Sequence, residues 1–300
     1  MRPERKIRVR KRRLAFTFAI AFAVSSCGVA KYAQNTAYPT PKSQYVTEGT
    51  LREVFYPSTE PRMTLRRAYV YLPKGYESSD TRYPVLYLLH GARGNETVWI
   101  DKAEILRHID SLTACGAMLP TIVVLPNMNQ YGSDRDYGMS RLKGAMESFF
   151  EVDGTVEKAF VHDVVATTDS LFRTVPEKSG RAIAGLSIGG MQSMYISANS
   201  SDTFAYVGMF SPMVHNTFKP GRANRFYRGL HRQQVAQFAD PPELYMIRIG
   251  RKDFFYPVVK GYCRSLDRRG YEYDVAYSEG GHQWYNWEPF CVEFLTKLWK

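Results

Sequence analysis

Arg181-Ala182-Ile183-Ala184-Gly185-Leu186-Ser187-Ile188-Gly189-Gly190 is a short apolar run that ends in Gly-x-Ser-x-Gly, and residues 191–198 can continue it as a helix. Strand, sharp turn and helix is the context in which this pattern becomes a nucleophile elbow, with the serine hydroxyl exposed above a sheet. Gly185 and Gly189 leave room where a β-carbon would clash in so tight a turn. A helix that begins near Ile188 points its free N–H groups at the serine, which suits an oxyanion. Taken alone, the five residues fit an ordinary Gly/Ser turn as well. The rest of the chain has to supply partners.

Working outward, residues 85–89, 122–125, 182–184, 205–210 and 244–247 are short continuous apolar runs. Such runs suit strands buried on both faces. Between them, helical periodicity covers about 97–113, 155–174, 189–199 and 254–269, with a last segment near 288–299. Residues 49–56 and 63–73 alternate polar and apolar instead, as antiparallel strands with one wetted face do. Strands alternating with helices predict an α/β fold: a mostly parallel sheet covered by helices on both sides, with the two alternating strands as its antiparallel edge. No internal repeat interrupts this pattern, and no large cap domain is expected.

In such sheets, sites gather at the carboxyl ends of strands. Residues 85–89 lead into His90-Gly91-Ala92-Arg93-Gly94-Asn95, whose Ala92 N–H can join that of Ile188 as an oxyanion hole. Residues 244–249 lead into Gly250-Arg251-Lys252-Asp253, and a carboxylate there can hold the Nδ1–H of a histidine. The strand expected over 273–277 leads into Ser278-Glu279-Gly280-Gly281-His282-Gln283-Trp284. His282, beside glycines on a loop, is placed as the general base toward Ser187. Glu279 is a second candidate acid, but it lies too close to His282 in the chain to orient it comfortably from behind. Met128, Tyr131, Tyr137, Met213 and Trp284 follow strand ends and can line an aromatic acyl site, although ordinary packing explains each equally well. His215 can reach substrate or stand in solvent.

The net charge of +11 is misleading as a whole: residues 1–13 carry eight Lys/Arg against Glu4, which leaves about +4 for the remainder. No later basic stripe with interleaved aromatics stands out, so nucleic-acid binding is not expected. Residues 14–26 are apolar apart from Thr17, Ser25 and Ser26, and Cys27 follows. Thirteen residues are too few for a permanent span, and basic start plus short apolar core read as an export signal. Val24-Ser25-Ser26-Cys27 resembles a bacterial lipobox, which implies cleavage before Cys27 and lipid on its thiol, with a plain secretory signal as the alternative. The expected organisation is therefore a signal over 1–26, lipidated Cys27 with a polar tether to residue 47, and one domain over 48–300. Cys115, Cys263 and Cys291 form no disulfide framework and no metal spacing, with buried thiols favoured over a Cys263–Cys291 pair. No metal is expected.

Ser187, Asp253, His282 is the chain order of nucleophile, acid and base in α/β-hydrolases. With Tyr83-Pro84-Val85-Leu86-Tyr87-Leu88-Leu89-His90-Gly91, Phe204-Ala205-Tyr206-Val207-Gly208, and Gly280-Gly281-His282-Gln283-Trp284 followed by Trp287, the chain resembles the putative-esterase family over residues 49–300. That family includes esterase D, feruloyl and acetyl-xylan esterases, and enterochelin esterases. The resemblance implies a serine ester hydrolase of α/β-hydrolase fold, with Ser187, Asp253 and His282 as triad, Ala92 and Ile188 as oxyanion hole, and no cofactor. Two places depart from the family pattern: Trp287-Glu288, where Trp-Arg is common, and the loop Ser211-Pro212-Met213-Val214-His215-Asn216.

Only residues 216–242 offer a lid, and they are short and polar, with Lys219, Arg222, Arg225, Arg228 and Arg232. An open cleft suits an ester on a bulky carrier. The resemblance then implies feruloyl- or acetyl-decorated plant cell-wall polysaccharide, or another small ester, as substrate. A siderophore esterase or an acyltransferase is the alternative enzyme. A non-catalytic glycan-binding lipoprotein on the same scaffold is the alternative of another class.

Overall fold

The computed structural model describes residues 39–59, 64–129, 152–214 and 229–300. Eight strands form one sheet: β1 (Thr50–Pro57), β2 (Leu65–Leu72), β3 (Val85–Leu89), β4 (Ile122–Pro126), β5 (Arg181–Leu186), β6 (Tyr206–Phe210), β7 (Leu244–Gly250) and β8 (Asp274–Ser278). Their spatial order is β1-β2-β4-β3-β5-β6-β7-β8, parallel from β4 to β8 and antiparallel where β1, β2 and β4 meet. The apolar runs over β3, β4, β5 and β6 are buried at every position, because helices cover both faces there. Among the described residues, no helix is long and apolar enough to cross a membrane.

The two alternating strands do lie at the antiparallel edge, but β2 is not wetted. All of it from Arg66 to Leu72 is buried, both arginines included. β2 sits between two neighbours, and its charges are matched rather than hydrated, as described below. Only β1 keeps the half-exposed pattern.

The helices differ in detail from their periodicity. The expected segment over 97–113 is two helices, α1 (Val98–Ala103) and α2 (Ile105–Ala114), divided at Glu104 in a left-handed conformation (φ 42°). The segment over 155–174 is α3 (Thr155–Phe160), a π-helical turn (Val161–Val165) and α4 (Ala166–Leu171). The wider turn shifts the side-chain register, and buried Asp163 accepts the Ser58 hydroxyl and the Thr59 amide, both at 2.9 Å. α5 (Ile188–Asn199) and α7 (Tyr256–Asp267) follow the sequence reading closely. α8 (Trp284–Leu295) starts four residues before the expected segment, with Pro289 inside it. Proline usually marks a first turn, but here Trp287 and Phe290 dock in the core and carry the helix through it.

Half of the expected lid is structural. α6 (Leu230–Ala239) buries Leu230, Gln234 and Gln237, and the Gln237 amide donates to the Ser197 hydroxyl of α5 at 3.1 Å. Residues 215–228, with His215, Lys219, Arg222, Arg225 and Arg228, lie outside the described residues.

Residues 39–47, expected as part of a polar tether, pack on the domain instead. Residues 39–49 run as a strap along the domain: the Asp101 carboxylate accepts the amides of Lys42 and Ser43 at 2.6 and 3.3 Å. Asp110 accepts the Glu48 amide at 2.8 Å and the hydroxyls of Tyr45, at 2.9 Å, and Tyr71. A carboxylate so surrounded by donors holds extended chain without adding a strand.

Candidate active site

β3 leads the chain to one side of the sheet, toward β4, and β5 lies on its other side. The strand order therefore reverses between β3 and β5, the kind of position where open sheets present a crevice. Leu89 of β3 pairs with Gly185 of β5, so the two strands end level and the turns that follow them meet.

Ser187 stands in that crevice at φ 56° and ψ −115°, a strained conformation for a residue with a side chain. Its amide donates to the Phe210 carbonyl at 2.8 Å, and its carbonyl accepts the amides of Met191 and Met213 at 3.1 and 3.2 Å. Those bonds hold the turn from the next strand, from α5 and from the loop after β6. Gly189 packs closest: a Cβ there would fall 2.4 Å from the His90 carbonyl oxygen and 2.8 Å from that of Leu89. At Gly185 it would meet Gly189 backbone carbon at 2.6 Å.

The Ser187 hydroxyl lies 3.0 Å from His282 Nε2, and His282 Nδ1 lies 2.8 Å from Asp253 Oδ2. A carboxylate only accepts, so Nδ1 carries the proton and Nε2 is left as the acceptor for the hydroxyl. Asp253 is fully buried, and its Oδ1 accepts the Phe255 amide at 2.9 Å. Glu279, the other candidate acid, points away to Arg251 at 3.2 Å and stands in solvent. Aromatic rings enclose the imidazole: Phe254 at 4.4 Å between centroids, Trp287 at 4.8 Å and Phe255 at 5.3 Å.

Ala92 follows Gly91, where a Cβ would lie 3.4 Å from Ser187 Cβ, and Ile188 is the first residue of α5. Among the described residues, neither amide donates to a protein acceptor. The turn bearing Ala92 is braced from behind. His90 Nε2 accepts the Met128 amide at 2.9 Å, so its Nδ1 carries hydrogen and donates to the Gly91 carbonyl at 2.8 Å. Burial lowers the His90 pKa to about 4; proximity to Arg66 adds to this, against the Gly91 carbonyl. Below it, the buried Glu96 carboxylate takes Arg67 on one oxygen and the Asn127 amide on the other at 2.5 Å. Arg67 also reaches Glu53 at 2.7 Å and the Pro39 carbonyl at 2.6 Å. Arg66 donates to the carbonyls of Asn127 and Asn129, and Asn129 donates to Gly94. A matched buried network of this kind rigidifies the loop it crosses.

Three of the expected acyl-site residues are described, and each is packed against other side chains. Met128 and Met213 are core residues, and their backbones do the work just described. Trp284 packs edge-on against Trp99 and Trp287 at 5.3 and 5.4 Å. Tyr131 and Tyr137 lie outside the described residues. Of the two departures from the family pattern, Glu288 pairs with His108 at 2.9 Å, and Ser211 is buried at φ 48° with its amide on the Arg248 carbonyl at 2.7 Å. Cys263 and Cys291 are free and buried, and Cys115 is free and exposed. No group of His, Cys, Asp and Glu suited to a metal occurs among the described residues.

Sequence reasoning missed the aromatic enclosure, the role of His90 and the Arg67–Glu96 pair. Two adjacent arginines inside an otherwise apolar strand were the available signal for the last.

A family model described as "Putative esterase" matches residues 60–247. An "Endo-1,4-beta-xylanase/feruloyl esterase" of Xylanibacter ruminicola is 29% identical over 262 residues, covering 85% of this chain and 32% of the relative. The chain thus spans about a third of that relative's length. A ferulic acid esterase from Anaeromyces mucronatus, solved with ferulic acid, superposes with a TM-score of 0.65 at 22% identity, over 87% of this chain and 94% of that one. An S-formylglutathione hydrolase from Staphylococcus aureus gives 0.62 at 18% identity, over 83% and 98%. These likenesses show the α/β-hydrolase fold.

Proposed function

The chain belongs to the putative esterase family, and from that premise we propose that it is an exported serine ester hydrolase acting on acyl groups of plant cell-wall polysaccharide. The observation that carries this reading is the hydrogen-bond chain from Ser187 through His282 to Asp253.

In the proposed reaction, the Ser187 hydroxyl attacks the ester carbonyl while His282 Nε2 takes its proton. Asp253 stabilises the imidazolium without taking a proton from it. The oxyanion that forms is met by the amides of Ala92 and Ile188, donors already fixed by the turn after β3 and the start of α5. Collapse breaks the bond to the alcohol, which leaves with the proton held on Nε2. Water then repeats the sequence on the acyl-enzyme and releases the acid, returning Ser187 to its hydroxyl form. No step calls for a cofactor.

The polysaccharide assignment draws on the relatives named above, a xylanase/feruloyl esterase and a ferulic acid esterase. Export and anchoring draw on the basic and apolar residues before Cys27. Wild-type protein should hydrolyse p-nitrophenyl acetate and release ferulate or acetate from arabinoxylan, and Ser187→Ala should do neither. A Ser187→Ala protein that still turns over, or a wild type that binds arabinoxylan without cleaving any ester, would overturn the reading. For the anchor, Cys27→Ser should move the protein from the membrane fraction to the soluble one, and an unchanged distribution would refute it.

A further inference from the structure

Among the described residues only two Phe, Tyr or Trp rings stand in solvent, Phe254 at 64% exposure and Tyr285 at 58%. Single exposed apolar side chains are common and decide nothing by themselves. Their placement does. Phe254 follows Asp253 on the loop after β7, and Tyr285 lies three residues beyond His282 at the start of α8. Phe254 is therefore carried by the loop that supplies the carboxylate, and Tyr285 by the first turn of the helix that follows the imidazole.

The surroundings separate Phe254 from its neighbours. Phe255 and Trp287 close on His282 edge-on, at 83° and 86°, and both are largely withdrawn from solvent. Phe254 lies nearer, 4.4 Å between centroids, tilted at 44° and open to water. Tyr285 is fixed to the histidine loop through its hydroxyl, which accepts the Gly281 amide at 3.3 Å. Val258, one helical turn beyond Phe254, is also exposed. The Phe254 ring thus presents an apolar face to solvent directly beside the imidazole.

In the reaction derived above, the proton on His282 Nε2 goes to the leaving oxygen, so the alcohol part of the ester lies on the imidazole side. The Phe254 ring is the open surface next to that imidazole. We propose that Phe254, with Tyr285 at the start of α8, is a binding subsite for the alcohol portion of the ester, and that this portion is a sugar ring. A sugar presents a face of C–H groups that packs on the electron-rich face of an aromatic ring while its hydroxyls stay hydrated. An anionic alcohol gains nothing from such a surface, whose ring faces carry negative charge density. This inference rests on the ester-hydrolase reading and adds to it which side of the ester the protein recognises.

The test uses two esters of whichever acid arabinoxylan yields, the oligosaccharide ester and the methyl ester. For Phe254→Ala, the ratio of kcat/KM on the oligosaccharide ester to that on the methyl ester should fall about tenfold, mainly through KM. Phe254→Trp, which keeps a ring, should hold the ratio within about twofold. Equal losses on both esters would overturn the subsite and leave Phe254 as a shield of the imidazole. A larger loss on the methyl ester would assign the ring to the acyl group instead. Binding without turnover separates the two readings: the oligosaccharide ester should bind Ser187→Ala about tenfold more tightly than Ser187→Ala/Phe254→Ala. Equal affinities would sink the subsite even where the wild type hydrolyses both esters, whereas a wild type inert on both would sink the hydrolase reading.

Discussion

The imidazole of His90 accepts the Met128 amide at 2.9 Å and donates to the Gly91 carbonyl at 2.8 Å, which fastens the end of β3 to the end of β4. The first bond requires the neutral ring, because an Nε2 that accepts carries no proton. A proton on Nε2 would face an amide hydrogen, with Arg66 adding repulsion.

The pH dependence of stability follows from that ring. Folded His90 has its pKa lowered to about 4, chiefly by burial, whereas the unfolded chain keeps the ordinary value near 6.5. Between these limits the unfolded state holds the extra proton, so stability rises with pH and its full contribution is present above the unfolded value. Acidification from pH 7 to pH 4 should remove up to about 3 kcal/mol through this residue. Urea unfolding of wild type and His90→Gln across that range checks it, with a flatter profile expected for the variant.

Asp253 holds the proton of His282 on Nδ1 from a fully buried position. Asp253→Asn should lower kcat on the order of 10⁴-fold with KM little moved, because the amide favours the wrong tautomer. Steady-state kinetics on p-nitrophenyl acetate measure this. A loss under tenfold would pass the acid role to another carboxylate.

Gly189 faces the carbonyl oxygens of His90 and Leu89, backbone atoms that cannot rotate aside. Gly189→Ala should cost roughly 3 kcal/mol of stability. It should also displace the Ser187 turn enough to lower kcat about 100-fold. Thermal unfolding and turnover of the purified variant report the two effects separately.

Glu96 is the buried counter-charge of Arg67. Glu96→Ala leaves the guanidinium without its innermost partner and should cost about 3 to 5 kcal/mol. Glu96→Gln, which keeps an acceptor for Arg67, should cost less. Denaturant midpoints of the two variants give the comparison, and an Ala variant as stable as wild type would refute the matched-charge account.

What the sequence carried openly was the part written in local pattern. Residues 85–89 and 182–186 are uniformly apolar because both sheet faces are covered, and Ser187, Asp253 and His282 each follow a strand end. The remainder depends on partners far apart in the chain. Arg67 looks like the polar half of an alternating strand until Glu96, Asn127 and the Pro39 carbonyl are brought around it. Phe254 looks like any core aromatic until its neighbours leave it uncovered. The break at Glu104 and the π-helical turn over Val161–Val165 are tertiary adjustments inside segments whose periodicity is helical throughout.

The strap over residues 39–49 has a mechanical consequence. Tension arriving from upstream is borne first by the carboxylates of Asp101 and Asp110 and by Arg67 at the Pro39 carbonyl, before it can peel Thr50–Pro57 from the sheet edge. Those bonds act as a strain relief, as on a cable where it enters its housing. A pull on that end is thereby spent on the strap before it reaches the crevice between β3 and β5.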